Sequence, residues 1–147
     1  NPVELAIWLA VVLAILGFGM GSMVWAYRRP LGNRALFPAP VSDLSVPIGD
    51  AARTQFEAGC ADFAQGHYLD AIDEFGAVMA AEPGCAEAFH NGGLAYANMG
   101  TDGPAVQALL KASELYDQQG TKAGLDLVKQ QLEQMASRRG LNPRATA

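Results

Sequence analysis

Gln65-Gly66-His67-Tyr68-Leu69-Asp70-Ala71-Ile72-Asp73-Glu74-Phe75, followed by Val78 and Pro83, is the stretch that decides the fold. Small residues stand where two helices would cross, and aromatics stand where a helix needs a wedge. Gly59 and Gly66 lie seven apart, and Ala71, Phe75 and Val78 follow at helical spacing. Much of the pattern returns 34 residues later, with Gly93 for Gly59, Gly100 for Gly66, Ala105 for Ala71, Leu109 for Phe75 and Ala112 for Val78. Phe89 and Tyr96 occupy places that Gln55 and Asp62 hold in the first copy. The second copy departs at Asp102 and Asp117, where the first has Tyr68 and Pro83.

A 34-residue unit with this Gly-Tyr-Ala-Phe-Ala-Pro skeleton resembles the tetratricopeptide repeat (TPR), a helix-turn-helix module that stacks side by side. The resemblance implies an all-α chain with two repeats at about 52–85 and 86–119 and a capping helix at 121–139. The residues themselves predict helices over Ala51–Gln65, Tyr68–Ala81, Ala86–Met99, from Pro104 to Gln118, and over Lys122–Arg138. Asp50 is the expected N-cap of the first, its carboxylate accepting from a free backbone N–H. Pro104 suits a first helical turn, where a missing N–H costs nothing. In the last helix, Leu125, Val128, Leu132 and Met135 form one apolar stripe opposite Lys122, Asp126, Lys129, Gln130, Glu133 and Gln134. Such a helix closes the end of a repeat stack. Arg138 and Arg139 suit its C-terminus through the helix dipole, and 141–147 reads as a frayed tail.

Before the repeats, Leu5–Tyr27 carries no charged residue over 23 positions, about 34 Å of helix at ~1.5 Å per residue. That length crosses a ~30 Å hydrocarbon core. Trp8 stands near one end, and Trp25 and Tyr27 near the other, as an interfacial aromatic belt would. Residues 1–28 are therefore expected to be a single-pass anchor. A signal peptide would need a basic flank and a shorter run; here Glu4 precedes a long one. With Asn1 in first place, a removed presequence or a few further residues would be expected ahead of it. Arg28, Arg29 and Arg34 follow the apolar run, so the C-terminal part is expected on the side of synthesis: cytoplasm, stroma or matrix. Ala10, Ala14, Gly17 and Gly21 share one face, and Gly17-x-x-x-Gly21 permits a close approach by another membrane helix. Glycine and alanine are also common in membrane helices, and the spacing alone does not separate the two readings.

Residues 29–50 form a linker punctuated by Pro30, Pro38, Pro40 and Pro47. Leu36, Phe37, Leu44 and Val46 are apolar for a solvated tether. The linker either lies along a partner, lies along the helical domain of 51–140, or acts as a stiff spacer.

The net charge is −5, and 52–119 carries ten acids against Arg53 and Lys111, which removes nucleic acid as a partner. Half the residues are hydrophobic. Cys60 and Cys85 have no metal-ligand spacing and are expected as free thiols. No nucleophile elbow, paired-histidine helix or phosphate loop is present, so neither an enzyme nor a cofactor is expected. Asp70, Asp73 and Glu74 read as a solvated acidic face, and His67 as a turn residue.

The TPR resemblance implies a concave groove lined by the first helix of each repeat. Its positions here are Arg53, Phe56, Cys60, Phe63 and Ala64, then Glu87, His90, Leu94, Ala97 and Asn98. Of these, Arg53, Phe56, Cys60, Phe63, His90, Leu94 and Asn98 are the expected protein-binding residues. Phe56 and Phe63 serve either as anchors for a ligand or as core between helices. Chaperone-binding TPR proteins clamp a terminal carboxylate with lysine and asparagine; this chain keeps only Asn91, and an apolar segment or helix suits the groove better. The runs Ala88–Asn98, Leu109–Tyr116 and Gly124–Gln130, behind an N-terminal anchor, resemble thylakoid TPR proteins that assist assembly or stability of photosystem I. That resemblance implies a membrane-anchored adaptor or subunit of a larger membrane complex. A receptor for soluble clients, of the import or organelle-division type, is the alternative; such proteins commonly carry the anchor at the other end.

Overall fold

The computed structural model describes residues 1–27 and 35–138; within the first helix, the side chains of Leu16 and of residues 18–27 lie outside the description. The expectations for Gly21, Arg28, Arg29, Pro30, Arg34, Arg139 and 141–147, and for the Trp25 and Tyr27 side chains, fall outside the described residues. The described chain is all-α: α1 Pro2–Tyr27, α2 Asp50–Ala64, α3 Tyr68–Ala81, α4 Ala86–Asn98, α5 Asp102–Gln118 and α6 Lys122–Arg138. It divides into two compact units, Asn1–Pro30 and Leu31–Ala147.

The first unit is helix α1. Val3, Leu5, Ile7, Trp8, Leu9, Leu13 and Ile15 are all exposed along it. Ala10, Ala14 and Gly17 are exposed too, and a Cβ added at Gly17 would meet nothing within 4 Å. Among the described residues, no helix is long and apolar enough to cross a membrane.

The second unit is built of hairpins. α2 packs on α3, α4 on α5, α3 on α4, and α5 on α6. Three of its turns are made alike. Gly66, Gly100 and Gly120 sit at φ 79°, 78° and 69°, a left-handed conformation that a Cβ resists. The residue after each glycine donates its N–H back to the preceding helix: His67 to Asp62 O at 2.8 Å, Thr101 to Tyr96 O at 2.9 Å, and Thr121 to Tyr116 O at 2.9 Å. These are Schellman closures, which satisfy carbonyls that a helix end otherwise leaves open. The third, between α5 and α6, falls outside the 34-residue register.

Helix contacts repeat as well as turns. A Cβ on Gly59 would stand 2.8 Å from the Phe75 ring, and one on Gly93 would stand 2.8 Å from Leu109 Cγ. Each pair is a helix crossing that only glycine allows, and the two pairs are 34 residues apart. Ala71, Phe75, Val78, Ala105, Leu109 and Ala112 are fully buried. In α6, Val128 and Met135 are buried while Leu125 and Leu132 pack at the margin of the core. Gln131, off the apolar stripe, is buried too.

Two local expectations are corrected. Gly49, not Asp50, is the N-cap of α2, and no side chain caps it; Asp50 is already helical. The backbone carbonyl of Gly49 accepts from Arg53 N–H at 2.9 Å, so the first turn closes without a carboxylate. α5 begins at Asp102 rather than Pro104, leaving the proline in the first turn, where its lack of an N–H is harmless.

The linker lies along the helical unit. Phe37 is 5% exposed and belongs to the core, with Ala35, Leu36, Leu44 and Ile48 packed at its edge. Residues 35–48 thus form a non-helical strap.

Candidate peptide groove

The strap is held by one face of α4. Glu87, Asn91 and Asn98 recur at steps of four and seven, close to two helical turns for the longer step, so their side chains leave the helix in a row. Asn98 takes both sides of one residue: Phe37 N–H donates to its Oδ1 at 2.9 Å, and its Nδ2 donates to Phe37 O at 2.8 Å. Asn91 does the same for Val41, at 2.7 Å and 2.7 Å. Ser45 donates its backbone N–H to Glu87 Oε1 at 2.8 Å, and its hydroxyl to the same oxygen. Strap residues 37, 41 and 45 therefore meet helix residues 98, 91 and 87, and the strap runs antiparallel to α4.

Burial gives these bonds their weight. Asn91 is fully buried, Glu87 is 2% exposed and Asn98 is 8% exposed. An amide or carboxylate so placed costs about 1–3 kcal/mol when a partner is removed. Asn98 also takes a hydrogen bond with Tyr68, which partly offsets the upward push of burial on that phenol. Cys60 Sγ lies 3.9 Å from Val41 O and 3.7 Å from Asn91 Nδ2. Burial, with the negative charge of Glu57 nearby, pushes its thiol up to about 11. Cys85 is pushed up mainly by burial, and both cysteines are free thiols.

The expected groove residues are dispersed through the unit. Asn98 and Cys60 border the strap. Phe56 and Phe63 are core: Phe56 meets Phe75 with ring centroids 5.7 Å apart, and Phe63 meets Tyr68 edge-on at 5.2 Å. Leu94 and Ala97 are fully buried, while Arg53 and Ala64 are exposed. His90 lies under α6, fully buried. Its Nε2–H donates to Gln131 Oε1 at 2.5 Å, and its Nδ1 accepts from the Tyr116 hydroxyl at 3.0 Å. Burial lowers the His90 pKa and raises that of Tyr116, which holds the imidazole neutral and the phenol as a donor. This is a latch for the last helix.

Glu87 and Asn91 lie on the predicted helix, Glu87 among the groove positions, but neither is one of the seven expected protein-binding residues. The signal lay in the row of Glu87, Asn91 and Asn98 on a helix whose one other polar side chain besides Tyr96 is His90, opposite a proline-spaced linker with Phe37.

Two other features lie elsewhere on this unit. Asp62, His67 and Asp70 bring one ligand atom each within 4.8 Å of one another at the α2–α3 turn. An open pocket of about 570 Å³ is lined by α3, α4 and α5, with Ile72, Met79, Phe89, Tyr96 and Lys111 in its walls. Compared with protein-family models, curated proteins and solved structures, the chain shows no match.

Proposed function

We propose that the chain is a membrane-anchored TPR-type adaptor, or a small subunit, that binds a larger membrane protein complex and stabilises it or helps it assemble. The observation that carries this reading is the α4 row, which grips an extended backbone through Asn98 and Asn91. A surface that reads main-chain groups is a surface for protein segments, not for small molecules. It favours an extended ligand over a helical one, because a helix keeps its own N–H and C=O groups paired. The recurrence of the Gly59–Phe75 contact as Gly93–Leu109 supports the TPR assignment. The anchor is supported by a continuous helix, Pro2–Tyr27, whose sequence from Leu5 onward has no charge. The three arginines after it favour a helical domain on the cytoplasmic or stromal side.

The resemblance to thylakoid proteins makes photosystem I the first complex to look for. Gentle solubilisation of the native membrane followed by native electrophoresis tests this. The chain is expected to travel with a large particle, pigmented if the photosynthetic reading holds. Migration as free monomer, or with soluble clients alone, would overturn the adaptor reading.

A further inference from the structure

Resting on the adaptor reading, we infer that the strap is an exchangeable occupant. The α4 face takes, in place of residues 35–48, an extended partner segment with an aromatic residue followed by proline at the first and third positions after it. The strap's own bonds give the reason. Asn98 and Asn91 engage only the backbone of Phe37 and Val41. Any chain offers the same N–H and C=O groups four residues apart. Identity enters most through Phe37, the one strap side chain that is fully buried, with Leu36, Leu44 and Ile48 packed at the edge of the core; Pro38, Ala39, Ser42 and Asp43 are exposed.

The prolines fit this chemistry. Between the two clamped residues, Pro38 and Pro40 have no N–H, so Ala39, which is exposed, brings the one backbone donor there. They also hold the segment extended before it docks, which reduces the entropy lost on ordering. At the far end, Glu87 receives two donors from Ser45. A replacement segment must bring a hydroxyl, an N–H or a base eight residues after its aromatic; an acid there would face a buried carboxylate.

The strap is tied directly to α2, where Gly49 N–H also bonds Glu82 Oε1 at 3.0 Å. A tether this short holds its segment at an effective concentration in the millimolar range. A competitor free in solution at micromolar concentration loses to it. A partner concentrated in the same membrane does not, so the strap acts as a threshold against casual ligands.

The probe is a fluorescent synthetic peptide with the sequence of residues 35–48, added to the full chain in detergent micelles. Native chain is expected to bind it weakly. Phe37→Ala, which weakens the strap, should bind it at least tenfold more tightly, and adding Asn91→Leu should abolish that gain. A peptide with alanine for both prolines should bind less well. In the unaltered chain, the Phe37 and Val41 amides should exchange hydrogen faster than the Leu94 and Ala95 amides of α4. The inference is overturned if those strap amides exchange as slowly as α4, if Phe37→Ala loses its helical circular dichroism, or if it stays folded and ignores the peptide. None of these results alters co-migration with a membrane complex, so the adaptor reading stands or falls separately.

Discussion

At the scale of single residues, two groups should report their surroundings directly. His90 is fully buried, and burial lowers its pKa, with Gln131 and the charge of Glu87 acting in the opposite direction. The unfolded chain takes up the proton near the ordinary value of 6.5, whereas the folded chain resists it. The unfolded state then binds more protons, and stability falls as pH drops through that value, by at most about 1.4 kcal/mol per pH unit. Thermal unfolding from pH 7.5 to 5.5 should show this loss, and His90→Gln should flatten it; an unchanged slope would mean the ring is not shielded. Cys60 offers the second reporter. With its pKa near 11 instead of 9.0, it holds about a hundredfold less thiolate at pH 8. Alkylation by iodoacetamide, followed by mass spectrometry, should be about that much slower than in the urea-unfolded chain. Phe37→Ala should speed it, because Cys60 lies beside the Val41 carbonyl that the strap carries.

At the scale of elements, glycine placement is the decisive test. Gly59 and Gly76 are both helical, but a Cβ at Gly59 meets the Phe75 ring at 2.8 Å and one at Gly76 meets nothing within 4 Å. Alanine gains up to about 1 kcal/mol over glycine in a helix. Overpacking costs about 1–3 kcal/mol, and Phe75, fully buried against Phe56, has little room to yield. Gly76→Ala should raise the melting temperature by a few degrees, and Gly59→Ala should lower it; equal shifts would argue against the crossing. These crossings were legible in the sequence because backbone proximity forces a residue type. Helix bounds were legible for the same reason: Gly66, Gly100 and Gly120 supply a conformation other residues avoid. The strap was legible only as an alternative. Its bonds run from asparagine side chains to backbone groups 50 and 61 residues away, and backbone groups leave no trace in composition. His90 went astray because repeat register placed it facing a groove, whereas α6, outside that register, covers it.

For the whole molecule, the question is what each unit contributes. A stack of two hairpins is below the about three repeats usually needed to bury a continuous core. α6 closes it at one end through the His90 latch, and the strap fills the face of α4. Burial inside the second unit is therefore largely satisfied without α1. Helix α1, by contrast, exposes Trp8, Leu9 and Leu13 and keeps Ala10, Ala14 and Gly17 open on one face. That contrast makes a clean experiment. Leucine at Gly93 would collide with Leu109 and Ala105 inside the fold. A Cβ at Gly17 would meet nothing within 4 Å among the described residues. Ala14 and Gly17 are both exposed on α1, and small residues let helices approach closely. On the adaptor reading proposed above, the chain carrying both Ala14→Leu and Gly17→Leu should stay in the membrane fraction with its melting temperature unchanged, yet leave the large particle on native electrophoresis. Retention in the particle would assign docking to the helical unit alone, since the only altered surface would have proved irrelevant to it.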